Sequence, residues 1–251
     1  MIGIFDSGIG GLTVLEALRR RLPNGDFLYL ADSARLPYGS RTAPEISGFG
    51  DEIAGFLCEQ GAEGIVVACN TVSAVALPRL RLAFPVPVWG MVDAGVDAAT
   101  RATSGGRIAV IATEATIASS VFQRKLEARG CHVWAKACPA LASAIEEDSP
   151  DTDVLIRHYL KEMPRVDTLL LACTHYPLRR AVFEKVAGPR VRVVDGAENL
   201  AARVATEVED EGAGLVRYLS GVNARTIRSL PRPARSLPVR SRPTPPARSA
   251  R

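Results

Sequence analysis

Histidine is scarce in this chain, cysteine occurs in an odd number, and long apolar runs are missing. The three histidines (His132, His158, His175) share no metal-ligand spacing with the five cysteines (Cys58, Cys69, Cys131, Cys138, Cys173), and no two cysteines form C-x-x-C. A zinc site and a disulfide framework therefore both lack support. No apolar run approaches the ~20 residues that a membrane-spanning helix needs. Met1 leads into Ile2-Gly3-Ile4-Phe5-Asp6 with no basic n-region or small-residue cleavage site, so a cytoplasmic protein is expected. Cofactor fingerprints are missing too. No P-loop of the form G-x-x-x-x-G-K-S/T occurs, and after Gly8 and Gly10 the third glycine of a dinucleotide turn is due at Thr13.

What remains is the composition of a folded protein: 251 residues, 47% hydrophobic and 23% charged, enough for one or two domains with real cores. The formal charge of +4 hides an uneven distribution. Nine arginines and no acid lie between Arg217 and Arg251, which leaves 22 basic residues against 27 acidic ones elsewhere. From about Asn223 the chain is rich in Arg, Pro and Ser, with too few large apolar residues to offset ordering entropy, and a disordered tail over 223–251 is expected. Without interleaved aromatics this tail offers no base-stacking surface. Nucleic acid is expected to bind it weakly and salt-sensitively at most.

Ahead of the tail, short apolar runs alternate with helical patterns. Strands are expected at 2–5, 27–30, 65–68 and 86–89, and helices over 12–22, 44–58 and 72–82, with Gly48 and Gly50 weakening the second of these. Strands that are apolar throughout belong to a parallel sheet covered on both faces, so the fold class is α/β. The pattern also repeats. Gly64-Ile65-Val66-Val67-Ala68 ends in Cys69-Asn70-Thr71, and Leu169-Leu170-Leu171-Ala172 ends in Cys173-Thr174-His175, an offset of 104 residues. The runs ending at Asp6 and Thr113 are offset by 107. An approximate duplication follows, each unit placing a cysteine at the carboxyl end of a strand, where open α/β sheets build their sites.

Cys69 and Cys173 are the leading chemical candidates. Helix-start amides at a strand end favour an anion and are expected to lower a thiol toward neutrality, and both cysteines are followed by polar residues. Cys58, Cys131 and Cys138 read as small buried hydrophobes. Asp6, heading Asp6-Ser7-Gly8-Ile9-Gly10-Gly11, suits either a helix N-cap or a base or orienting group. Pro37-Tyr38-Gly39 reads as a turn, and Thr113 and Thr116 as caps or as hydroxyl donors. His175 can exchange a proton with a neighbouring thiol or simply fill a partly buried slot, and Glu146 is most simply a solvated helix residue.

Together, Asp6-Ser7-Gly8, Pro37-Tyr38-Gly39, Cys69-Asn70-Thr71, Thr113 with Thr116, Cys138-Pro139 with Glu146, and Cys173-Thr174-His175-Tyr176-Pro177 resemble the glutamate racemase family, from residue 2 to about 205. The resemblance implies two pseudo-symmetric α/β domains, 1–92 plus 196–222 and 93–195, with the active site in the cleft between them. It implies racemisation of glutamate without a cofactor, D-glutamate for peptidoglycan, and a homodimer. By the same likeness Cys69 and Cys173 are the acid/base pair, Asp6 and Glu146 assist the first and His175 the second. Asp6, Ser7, Tyr38, Gly39, Asn70, Thr71, Thr113, Thr116, Thr174 and His175 match substrate-binding positions. The chain departs from the family pattern at Ala172, at Phe122, at Met91-Val92-Asp93 and at its Arg/Pro-rich end. Racemisation of aspartate or another small acid is the alternative within this chemistry. A non-catalytic protein binding through its basic tail is the alternative outside it.

Overall fold

The computed structural model describes residues 1–221; the expectation of a disordered tail falls on residues outside the described ones. In chain order the elements are β1 (Ile2–Asp6), α1 (Leu12–Arg21), β2 (Phe27–Ala31), α2 (Ala43–Glu59), β3 (Gly64–Val67), α3 (Asn70–Val75), α4 (Leu77–Ala83), β4 (Val88–Gly90) and α5 (Met91–Ala102). There follow β5 (Arg107–Ala112), α6 (Glu114–Ala118), α7 (Val121–Glu127), β6 (His132–Ala137), α8 (Leu141–Glu146), α9 (Thr152–Leu160), β7 (Thr168–Ala172), α10 (Arg180–Ala187), β8 (Arg192–Val194), α11 (Ala197–Glu207) and β9 (Val216–Ser220). Two parallel sheets result, ordered β4-β3-β1-β2-β9 and β6-β5-β7-β8.

Every residue of β1, β2, β3 and β7 is buried, as the unbroken apolar runs require. Alternate side chains feed separate cores on the two faces of the first sheet. Phe5, Leu28, Leu30, Ile65 and Val67 pack toward α2, while Ile4, Tyr29, Ala31 and Val66 pack toward α1 and α11. The second sheet repeats this, with Ile111, Leu169 and Leu171 on one face and Ile108, Val110 and Leu170 on the other. The duplication is visible in the pairings: β1 lies beside β3 as β5 lies beside β7.

The helices follow the spacing of the apolar residues except at one break. The helix over 44–58 runs unbroken through Gly48 and Gly50, started by a capping box between Thr42 and Glu45. A Cβ on Gly50 would lie 3.2 Å from a Val72 methyl, so close approach of α2 to α3 explains that glycine. The single helix expected over 72–82 is instead α3 and α4, separated at Ala76. Pro78 is the reason. In a continuous helix its ring would press on the Ala74 carbonyl and its missing N–H would leave that carbonyl unpaired. The break puts it in the first turn of α4, where no N–H is needed.

Candidate active site

The carboxyl ends of β1, β3, β5 and β7 converge on one cavity of about 280 Å³. Ser7, Tyr38, Gly39, Cys69, Asn70, Thr71, Thr113, Cys173, Thr174 and His175 line it. Asp6, Thr116 and Glu146 stand one layer behind, bonded to residues that do. Both sulfurs belong to buried residues, Cys69 being 4% exposed and Cys173 5%. Among the described residues no lysine or arginine lines the cavity; beside the Glu114 carboxylate, the lining offers hydroxyl and amide donors and the His175 ring.

Cys69 caps α3, with Ser7 Oγ at 4.0 Å from its Sγ. The helix-start amides of Val72 and Thr71 do act on the thiol, but the expected net lowering is not found. Burial and the charge of Asp6 outweigh them and push Cys69 up to about 12. Asp6 is itself raised by burial, against the pull of His175 and of its own hydrogen bonds. Its Oδ2 accepts from the amides of Gly8 and Gly11, each at 3.1 Å, and its Oδ1 accepts from Thr174 Oγ1 at 3.1 Å. The N-cap reading of Asp6 is corrected: α1 starts from Gly11 without a side-chain cap, and Asp6 instead ties the glycine turn of the first unit to the second.

Cys173 has different company. His175 Nδ1 lies 3.8 Å from its sulfur, and His175 Nε2 lies 2.6 Å from Glu146 Oε2. Burial disfavours charge on His175, but the bonds to Cys173 and Glu146 prevail and raise it to about 10. The imidazole is therefore protonated at neutral pH, with Glu146 as counter-charge. Burial would raise Glu146, yet the bonds from His175 and the Ile9 amide hold it below the usual carboxylate range. The solvated-surface reading of Glu146 is thereby corrected. A carboxylate at the C-terminal end of α8 gains nothing from the helix dipole, and the Ile9 amide at 3.0 Å and His175 supply its partners. Its position beside His175 also places it in the surroundings of Cys173, where the resemblance had assigned it to Cys69.

The threonines form a buried triangle: Thr71 Oγ1 to Thr113 Oγ1 at 2.9 Å, Thr113 Oγ1 to Thr116 Oγ1 at 2.9 Å, and Thr116 Oγ1 to Thr71 Oγ1 at 3.3 Å. Neither hydroxyl of the second unit caps α6. The glycine turn is glycine because the units press together there. A Cβ on Gly10 would fall 2.7 Å from the His175 backbone nitrogen, and one on Gly8 would fall 2.5 Å from the Glu146 carboxylate.

The Asp/Glu/Hydantoin racemase family model matches residues 12–204. The chain belongs to this family. The racemase is 46% identical over 216 residues to the glutamate racemase of Aquifex pyrophilus, spanning 84% of this chain and 85% of that protein. Among solved structures it is similar to glutamate racemase isoform RacE1 from Bacillus anthracis, with a TM-score of 0.82 and 33% identity over 90% of each chain. The glutamate racemase of Thermus thermophilus in complex with beta-chloro-D-alanine matches with a TM-score of 0.78 and 40% identity, covering 91% of this chain and 90% of that one.

Some of the racemase's lining escaped sequence reasoning. Cys138 is the small buried hydrophobe expected, 2% exposed and part of the second unit's core, but it also faces the cavity with Pro139 and Ala140, and burial pushes its thiol up to about 12. Its place one residue beyond a strand end was the available signal. Tyr38 lines the cavity, but its hydroxyl donates to Asp32, so it offers the cavity no free phenol donor.

Proposed function

We propose that this racemase interconverts L- and D-glutamate by proton transfer at Cα, Cys69 serving one face and Cys173 the other, and that it supplies D-glutamate for peptidoglycan. The observation that carries this is the pair of buried thiols on one cavity, each with its own polar partner. One sulfur as thiolate takes the Cα proton while the other, as thiol, gives its proton to the opposite face. The roles exchange for the reverse reaction. In the direction from L-glutamate Cys173, beside His175, serves as the base and Cys69, beside Ser7, as the acid. Cys69 then takes the proton from D-glutamate.

The carbanion formed at Cα places charge on the α-carboxylate, and preorganised neutral donors stabilise it most where water is excluded. Asn70 Nδ2 is buried with no partner among the described residues and is a free donor for that carboxylate. Ser7, Thr71, Thr113 and Thr174 supply hydroxyls, and the backbone around Tyr38 and Gly39 completes the enclosure. Two domains, 1–92 with 196–222 and 93–195, hold the substrate between them. Five free cysteines suit a reducing compartment, and a cytoplasmic homodimer is part of this proposal.

Polarimetry with L-glutamate, D-glutamate, L-aspartate and D-aspartate, without added cofactor, tests the proposal. Loss of rotation with both glutamates and not with the aspartates is expected; turnover confined to aspartate overturns the substrate assignment. In deuterated water, a two-base site labels the product enantiomer ahead of the starting one. Early labelling of both would point to a single base.

A further inference from the structure

Beneath the cavity lies a charged cluster that takes no part in the proton transfers. Asp32, at the end of β2, is fully buried. It accepts from Arg35 Nε and from the Tyr38 hydroxyl. Arg35 Nη1 reaches Glu52 Oε2 of α2 at 2.6 Å, and its guanidinium sits 4.4 Å over the Phe49 ring. Phe49 in turn packs against the Tyr38 ring, with centroids 5.2 Å apart. Arg35, Phe49, Tyr38 and Asp32 therefore close a loop of contacts around the residues that feed the cavity wall.

Such a cluster is a poor investment in stability alone. Taking Asp32 wholly, and Arg35 and Glu52 mostly, out of water is costly, and partner interactions often no more than balance that cost. Here the balance is incomplete, since Asp32 Oδ1, Arg35 Nη2 and Glu52 Oε1 are buried without partners among the described residues. Apolar side chains would fill the space at lower cost. What ions add is a fixed geometry, because a guanidinium fork accepts few orientations.

That geometry is set where the first unit meets the second. The strip 36–39 lines the cavity, and the Gly39 carbonyl accepts the Ala115 amide of α6 at 3.0 Å. A Cβ on Gly39 would fall 2.7 Å from Thr113 Cβ, so the strip lies flush against the threonine triangle. We propose that Arg35, locked between Asp32 and Glu52, is a positioning residue: it fixes strip 36–39 over the cavity and, through Gly39, the seating of α6 on the first unit. Its consequence for catalysis rests on the glutamate-racemising function proposed above.

Two measurements on Glu52→Gln, which keeps the shape and removes one charge, test the assignment. Hydrogen exchange is followed at the Ala115 amide in the full chain without substrate, and steady-state kinetics with each glutamate enantiomer. Loss of one charge-assisted bond is expected to speed Ala115 exchange on the order of tenfold. It should raise KM by a similar factor with kcat within about threefold, the pattern of lost uniform binding. Arg35→Lys, which keeps the charge and loses the fork, should move both readings in the same direction and stands in should Glu52→Gln not fold. Faster exchange at 36–40 with Ala115 unmoved would reduce the cluster to local structure and overturn the assignment. So would a KM unchanged in a protein that racemises glutamate. If the parent does not turn over glutamate at all, the proposed function fails and Ala115 exchange alone decides the positioning role.

Discussion

At the end of β3 the sulfur of Cys69 faces a serine hydroxyl in the field of a buried carboxylate, whereas at the end of β7 the sulfur of Cys173 faces an imidazolium braced by Glu146. The backbone positions correspond, and the chemistry around them does not. Past Cys69 a helix begins and the Thr71 and Val72 amides turn toward the sulfur. Past Cys173 the chain makes a short 3-10 turn, Tyr176–Arg179. The partner that reaches this sulfur is a side chain, His175. A duplicated scaffold can thus carry two unlike proton carriers, because the residues just beyond each strand end, not the strands, determine the charge.

The sharpest way to break this comparison is to remove one sulfur at a time. Cys69→Ser and Cys173→Ser replace a thiol by a much weaker acid, and each should lower racemisation by several orders of magnitude, beyond the roughly 10²–10⁴ of a typical general base. They should fail differently. An analogue with a leaving group at C3 needs abstraction at one face only, so Cys69→Ser should still eliminate from the L-form and Cys173→Ser from the D-form. Loss of both eliminations in both variants would mean that the thiols do not serve opposite faces.

A smaller effect is expected from the partners. His175→Asn should cost roughly 10² in turnover of L-glutamate and less in turnover of D-glutamate, since proton abstraction from the L-form is assigned to Cys173. Asp6→Asn should bias the loss the other way. Initial rates from each enantiomer would show equal losses if the partners served both thiols alike.

The third test concerns pH. His175 is raised from 6.5 to about 10, so its protonated form favours the folded state. Its contribution is complete below about 6.5 and is lost as the pH rises through about 10. Urea melts should therefore show the largest stability gap between parent and His175→Asn below pH 6.5, narrowing to nothing above pH 10. A gap constant with pH would mean that His175 acts by packing. The smallest change is expected on deleting 223–251. Every proposed site residue lies between Asp6 and His175, so racemisation measured by circular dichroism should stay within about twofold of the parent.

Much of this was legible from the sequence, and the limits have a physical pattern. Apolar runs and helical spacing located the strands, and the residues at their ends, Asp6, Cys69, Thr113 and Cys173, do meet. Periodicity is local, so it missed the α3 to α4 break that Pro78 imposes, and it said nothing of pairings between distant segments. The bond from Ile9 to Glu146 joins residues 137 apart, and Thr174 to Asp6 spans 168. Net charge effects were hidden for the same reason. The helix-start amides at Cys69 could be foreseen, but the burial and the Asp6 charge that overrule them exist only once the two units have closed.

The strand order carries a consequence for how the molecule comes into being. β5 to β8 are contiguous in the chain, whereas β9 pairs with β2 only after some 185 intervening residues. A chain emerging from the ribosome therefore presents β1 to β4 first, with the α1 face waiting for Leu200, Ala201 and Val204 of α11. The second sheet has all its strands in hand before the first has its last. Amino-terminal domains generally fold first during synthesis; here the later-made half reaches completion earlier, and the catalytic cleft closes only when the final helix and strand return to the unit that was begun first.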